Sequence, residues 1–176
     1  MLRSRDGQAA SFARAGTGRD GGRRVNRFVR GDRIDWPAPG EPAVAPYLEW
    51  IERLRLALNR RLFIGLFDYE CHFACYPTGA FYRRHRDAFR GDTNRVVSTV
   101  LYLNPGWMAT EGGELVIYPG GSDAPLTRIV PAYGTLAVFL SEDFPHEVLP
   151  AVRPRYSLTG WFRVNGSIGG AVDPPR

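Results

Sequence analysis

From Glu70 onward the chain is cut by Gly and Pro at near-regular intervals, and this punctuation constrains the fold more than any other feature of the sequence. The breaks fall at Pro77-Thr78-Gly79, Asn104-Pro105-Gly106, Gly112-Gly113, Pro119-Gly120-Gly121 and Tyr133-Gly134. Between them the spacing predicts short strands near 70–76, 81–86, 96–104, 114–118, 126–130, 136–140, 146–149 and 156–164. Ahead of them Tyr47, Leu48, Ile51, Leu54, Arg55 and Leu58 recur at helical spacing through about Leu62. Leu48, Ile51, Leu54 and Leu58 fall on one face, which predicts an amphipathic helix packed on the core. About eight short strands after one helix describe a mainly β fold with helical support, two sheets closed as a jelly roll.

The flanks read differently. Residues 1–24 are rich in Gly, Ala, Ser and Arg with few large apolar side chains, and predict a disordered Arg/Gly-rich tail. An Arg-rich organelle leader is the competing reading of the same segment. Residues 25–165 form the single folded domain that 176 residues predict, and 166–176 form a Gly- and Pro-rich flexible tail. No run of 18 or more apolar residues occurs, which predicts no membrane span. The net charge of +5 comes from 23 basic residues that are all Arg, scattered along the chain. That pattern is one of codon bias and weighs against nucleic acid as a partner. Cys71 and Cys75, four apart on a strand, stand about 13 Å apart, too far for a disulfide. Without a second pair they also make a poor zinc site, so reduced thiols in a cytoplasmic protein are expected.

Chemistry enters at Arg84-His85-Arg86-Asp87. A His and a carboxylate two apart on an extended segment face the same way. His146, in Pro145-His146-Glu147-Val148, supplies a third donor, and two His with one carboxylate is the open set of non-haem Fe(II) oxygenases. A lone His before Glu usually sits at the surface; Arg155, nine residues on, argues for the metal instead. Alternation along the last strand puts Arg155, Ser157, Thr159 and Trp161 on one face. A buried Arg needs an anion, and its planar fork suits a carboxylate. Arg155 therefore reads as the holder of a dicarboxylate cosubstrate, or alternatively as half of a rim ion pair. Tyr102 shares a face with Ser98 and Val100, and Tyr76 with His72 and Ala74; either tyrosine is core or ligand contact.

With these residues in place the chain resembles the prolyl 4-hydroxylase branch of the Fe(II)/2-oxoglutarate oxygenases, nearest the oxygen-sensing prolyl hydroxylases and their bacterial relatives. The matching pieces are Arg30-Gly31-Asp32, Ala74-Cys75-Tyr76-Pro77, Arg84-His85-Arg86-Asp87, Tyr102-Leu103-Asn104, Gly112-Gly113-Glu114-Leu115 and Pro145-His146-Glu147-Val148 with Arg155-Tyr156. The resemblance implies a double-stranded β-helix core with Fe(II) on His85, Asp87 and His146. It implies that Tyr102 and Arg155 bind the distal carboxylate of 2-oxoglutarate, that Tyr76 contacts it nearer the metal, and that Thr159 and Trp161 line its pocket. It implies O2 and a protein or peptide presenting a proline as substrates, succinate and CO2 as products, and ascorbate as reductant. The loop around Arg30 and Asp32 resembles the family's mobile substrate-covering segment. His72 departs from the pattern, standing where relatives carry an apolar residue. A small-molecule hydroxylase and a non-catalytic 2-oxoglutarate/iron sensor remain alternatives on the same site.

Overall fold

Eight strands follow the helix, as the punctuation predicts, and they lie in two sheets. The structure is a computed structural model that describes residues 12–15, 29–88 and 94–165. Two short strands, β1 (Ala13–Arg14) and β2 (Arg33–Asp35), precede the helix α1 (Ala45–Leu62). Then come β3 (Leu66–Tyr76), β4 (Tyr82–His85), β5 (Arg95–Tyr102), β6 (Leu115–Ile117), β7 (Thr127–Ile129), β8 (Leu136–Leu140), β9 (His146–Val148) and β10 (Arg155–Val164). The larger sheet has the order β1-β2-β3-β10-β5-β8 and the smaller β4-β9-β6-β7, every pairing antiparallel. The chain crosses from one sheet to the other after β3, β4, β5, β7, β8 and β9, which is the winding of a double-stranded β-helix.

Alternation along the long strands sets the layers. On β3, β5, β8 and β10 one set of side chains points between the sheets and the other points outward. Ala74, Tyr76, Val100, Tyr102, Ala137 and Phe139 meet Leu115, Ile117 and Val148 of the smaller sheet in the central core. The opposite faces of β3 and β10 are covered by α1. There Ile51 packs with Leu66, Val97 and Phe162, and Leu54, Leu58 and Tyr47 join them partly buried. Leu48 was expected on this face but is 38% exposed, and Tyr47 takes the position instead. The spacing 47, 51, 54, 58 keeps the stripe straighter than a start at 48, and the Tyr47 hydroxyl gains a hydrogen-bond partner in Tyr69 at 2.9 Å.

One strand lies inside the segment expected to lack order. Ala13 pairs with Ile34, Arg14 pairs with Arg33, and the Ala15 N–H donates to the Asp32 carbonyl at 3.2 Å. Phe12, the one large apolar residue of that stretch after Leu2, is partly buried against the cluster of Val44, Phe73 and Leu103 and anchors it. The rest of the two expected tails lies outside the described residues. The Arg30–Trp36 strip, expected as a mobile cover, is tied to both sheets. Its Gly31 N–H donates to Phe81 O at 2.9 Å beside β4, and β2 pairs with β3. The strip thus closes one open edge between the sheets. Cys71 and Cys75 are free thiols.

Candidate active site

Strand pairing brings the three expected metal ligands together. β4 and β9 run antiparallel with His85 opposite His146. Asp87 lies on a bend just beyond β4 and not on the strand itself, so the expected strand through residue 86 is too long. The register of β4 also slips between Tyr82 and His85, an irregularity that breaks strict alternation and turns both rings to one side. They stack at 3.5 Å between centroids. Phe139 meets the His146 ring edge-on at 4.8 Å, so both imidazoles are held in place by an aromatic neighbour.

Donor chemistry is legible in the hydrogen bonds. The His85 Nδ1 lies 2.8 Å from the Arg83 carbonyl and the His146 Nδ1 lies 3.1 Å from that of Phe144. A carbonyl only accepts, so each Nδ1 carries the proton and each Nε2 presents a lone pair. Those two Nε2 atoms stand 3.5 and 3.6 Å from the same Asp87 Oδ1, and the three groups lie within 4.8 Å of one another. Three acceptors facing one another without a proton between them suit a divalent cation, and two imidazoles with one carboxylate suit Fe(II).

The Asp87 carboxylate is oriented from behind. Its Oδ2 accepts from Ser98 Oγ at 2.6 Å, and Ser98 Oγ lies 2.9 Å from Ser141 Oγ. Having spent its proton on Asp87, Ser98 must accept from Ser141, which makes a short relay that fixes both hydroxyls. Burial by itself raises the Asp87 carboxyl, but attraction to the His146 and His85 rings in their protonated form and the Ser98 hydrogen bond outweigh it and hold the group far below the usual carboxylate range. Burial lowers His146, which keeps its ring neutral and able to bind metal.

The opposite end of the pocket gathers Arg155, Tyr76 and Tyr102. Arg155 opens β10 directly opposite Tyr76, and Ser157 two residues on lies opposite Tyr102. The guanidinium carbon lies 5.0 Å from the Tyr76 ring centre and 4.9 Å from that of Tyr102. Arg155 is 1% exposed, its Nε has no partner, and among the described residues no acidic side chain pairs with it. The rim ion pair is therefore not what this Arg makes. Tyr102 Oη and Trp161 Nε1 are likewise buried without a partner. Burial raises both tyrosines, Tyr76 well above its ordinary value, so each hydroxyl keeps its proton as a donor. Buried polar atoms left open on one pocket wall mark the place of a bound polar molecule, and these donors suit an anion. Ser98 and Tyr102 are four apart on β5, about 13 Å, a gap that a five-carbon dicarboxylate plus the long Arg155 side chain spans.

Thr159 and Trp161 continue the same face of β10, with Thr159 opposite His72 and Val100 and Trp161 opposite Ser98. His72 does not join the three-ligand group. It sits buried between Trp36 and Trp161, at 5.1 and 5.4 Å between ring centres, and its Nδ1–H donates to Phe73 O at 3.1 Å. Burial pushes it down to about 4, so it is neutral near pH 7. Sequence reasoning missed Ser141 and Phe139 outright and gave Ser98 and Tyr82 no role. No local signal marks Ser141 or Phe139, because each meets the site only across the sheets. Gly113 is likewise a support of the site: a Cβ there would stand 3.1 Å from Trp107 Cζ2 and 3.4 Å from Arg155 Cδ.

Residues 71–163 match the family model of the 2OG-Fe(II) oxygenase superfamily. A crystal structure of a Pseudomonas putida prolyl-4-hydroxylase superposes with a TM-score of 0.81 at 48% identity, covering 92% of this chain and 81% of that one. A Trichoplax adhaerens prolyl hydroxylase, solved with a hypoxia inducible factor oxygen degradation domain peptide fragment, gives 0.78 at 31% identity over 91% of this chain and 74% of that one. Human prolyl hydroxylase EGLN3 is 36% identical over 166 residues, which are 90% of this chain. The chain spans 65% of the length of that relative. The His85–Asp87–His146 cluster, the fold and the matches agree, and the chain belongs to the 2OG-Fe(II) oxygenase superfamily, in its prolyl hydroxylase branch.

Proposed function

We propose that this protein is an Fe(II)- and 2-oxoglutarate-dependent dioxygenase that hydroxylates a prolyl residue at C4 in a protein or peptide, consuming O2 and releasing succinate and CO2. The observation that carries it is Arg155, fully buried, unpaired among the described residues, and on the same pocket wall as the residues flanking a His85–Asp87–His146 donor set. The hydroxylases named among its relatives support the prolyl substrate. In this reading His85, Asp87 and His146 hold the metal, with Ser98 fixing which carboxylate oxygen faces it. Arg155 and Tyr102 take the distal carboxylate of 2-oxoglutarate, Tyr76 flanks it, and Thr159 and Trp161 wall the pocket. Bound Fe(II) supplies the redox chemistry with O2, and ascorbate serves as its reductant. The protein's part is positioning and exclusion of water: charge-assisted hydrogen bonds orient the cosubstrate, and apolar walls from Val100, Ile117 and Phe139 keep the chamber dry. No helix among the described residues is long and apolar enough to cross a membrane. Cytoplasmic placement belongs to the same proposal and is supported by the free thiols Cys71 and Cys75.

The test is the consumption of 2-oxoglutarate by the Fe(II)-loaded protein with proline peptides, with the same peptides carrying Ala in place of Pro, and with free proline. Stimulation by the proline peptides alone, matched by succinate and by one oxygen gained on proline, is the expected result. Turnover on free proline with no response to peptides would make the protein a small-molecule hydroxylase. Binding of 2-oxoglutarate with no turnover on any of them would make it a sensor module.

A further inference from the structure

Beside the metal donors an open cleft of about 660 Å3 runs from His85 and Pro145 to the turn at 121–123, with Arg84 and Arg86 on its wall. A cleft of that size accommodates several peptide residues. Its two cations differ in kind. Arg84 is committed: it donates to Asp123 Oδ1 at 2.7 Å and to Ser122 O at 2.5 Å, and its guanidinium lies 4.0 Å from the Tyr118 ring centre. That arm pins the turn and neutralises Asp123, the single carboxylate among the described residues lining the cleft. Arg86 is uncommitted. It is exposed, has no ion-pair or hydrogen-bond partner among the described residues, and reaches to within 3.9 Å of the space above Gly120, where a side chain would otherwise stand. It also sits between the two metal-donor residues His85 and Asp87 in the chain, so whatever it holds lies next to the reacting centre.

We propose that Arg86 is a specificity-determining residue, the cationic arm of a cleft that takes an acidic side chain of the protein substrate close to the target proline. The inference rests on the peptide-hydroxylase reading above. Net charge carries the choice of ligand: with Arg84 neutralised by Asp123, the cleft keeps one free guanidinium, and its planar fork matches a carboxylate. Covering by the bound peptide removes water from that contact and strengthens it beyond an ordinary surface pair.

The experiment uses short Ala-based peptides, blocked at both ends so that no terminal carboxylate competes. Each has one central proline and a single Asp, Asn or Lys at each flanking position in turn. Binding to the metal-loaded protein is followed by fluorescence anisotropy, and hydroxylation of the same peptides by mass. For the wild type, Asp at one or two positions is expected to tighten binding about fivefold over Asn, with Lys weaker still. Arg86→Glu should reverse the order at those positions, so that Lys peptides bind best, and Arg86→Gln should erase it. Charge-dependent binding without hydroxylation would sustain the Arg86 subsite while removing the hydroxylase reading. Hydroxylation with equal Kd for Asp, Asn and Lys at every position would overturn the subsite and leave the hydroxylase reading standing. An Arg86→Glu loss that is the same for all peptides, or no measurable binding of any peptide to the wild type, would also overturn it.

Discussion

At the scale of single residues, the site is a set of donors and acceptors whose partners are fixed except where a ligand belongs. Arg155 is the sharpest case. Arg155→Lys keeps the charge and loses the fork, so the apparent KM for 2-oxoglutarate should rise roughly 10- to 150-fold, the worth of a lost charge-assisted hydrogen bond. Lost thermal stability with an unchanged KM would make Arg155 a structural residue. Ser98 is a positioning residue, because it acts on the metal through Asp87. Ser98→Ala should weaken Fe(II) or Co(II) binding about 10- to 100-fold in a direct titration while Ser98→Thr retains most of the affinity. His72 carries a pH signature. Its folded value of about 4 lies below the 6.5 of an exposed His, so the unfolded chain binds the proton first as pH falls. Its contribution to stability is complete above 6.5 and is lost progressively toward 4, at about 1.4 kcal/mol per unit and a few kcal/mol in all. His72→Leu should therefore show a flatter stability profile than wild type across that interval in denaturant titrations. Parallel profiles would mean that His72 is hydrated and titrates freely.

At the scale of elements, what could be read ahead was whatever depends on spacing alone. The Gly and Pro breaks delimited β4 through β10 closely, because turns use those residues for backbone reasons that are local, whereas β3 starts at Leu66, four residues before its expected start at Glu70. Alternation put Arg155, Thr159 and Trp161 on one face, since β10 keeps a steady register to Phe162. Reading by spacing failed where register is irregular or where contact is tertiary. The slip in β4 put Tyr82 beside His85 at an odd spacing, and Asp87 reached the metal donors from a bend. β1 formed because Phe12 found a core, which no count of apolar residues in residues 1–24 anticipates. The Gly112-Gly113 turn shows an element serving the site. Gly113 has φ of 76°, and an added Cβ would press on Trp107, Ala151 and the Arg155 stem together. Gly113→Ala should cost about 1–3 kcal/mol of stability and also raise the KM for 2-oxoglutarate. A stability loss with no change in KM would separate the turn from the cosubstrate pocket.

At the scale of the whole molecule, two sheets joined along one edge by the 29–36 strip form a chamber with the His85–Asp87–His146 cluster on one side and the buried Arg155 on the other. In the proposed site each sheet carries half of the chemistry, so the proposed turnover depends on their packing through Val100, Tyr102, Ile117 and Phe139. The same division explains why the resemblance could be read from short pieces far apart in the chain: β4 and β9 bring His85 and His146 into register, and β3, β5 and β10 bring Tyr76, Tyr102 and Arg155 together. Under the proposed function nothing local in the sequence identifies the target protein, because the proposed recognition uses surface such as the Arg86 cleft and not the chamber. The most direct measurement of the central claim is a mass-spectrometric comparison of cells with and without this protein, scored for proline residues that gain one oxygen. A small set of hydroxyprolines is expected to vanish with the protein and to return with the wild type but not with Asp87→Ala. Identical proline oxidation in both cell populations, with purified protein still consuming 2-oxoglutarate, would contradict it.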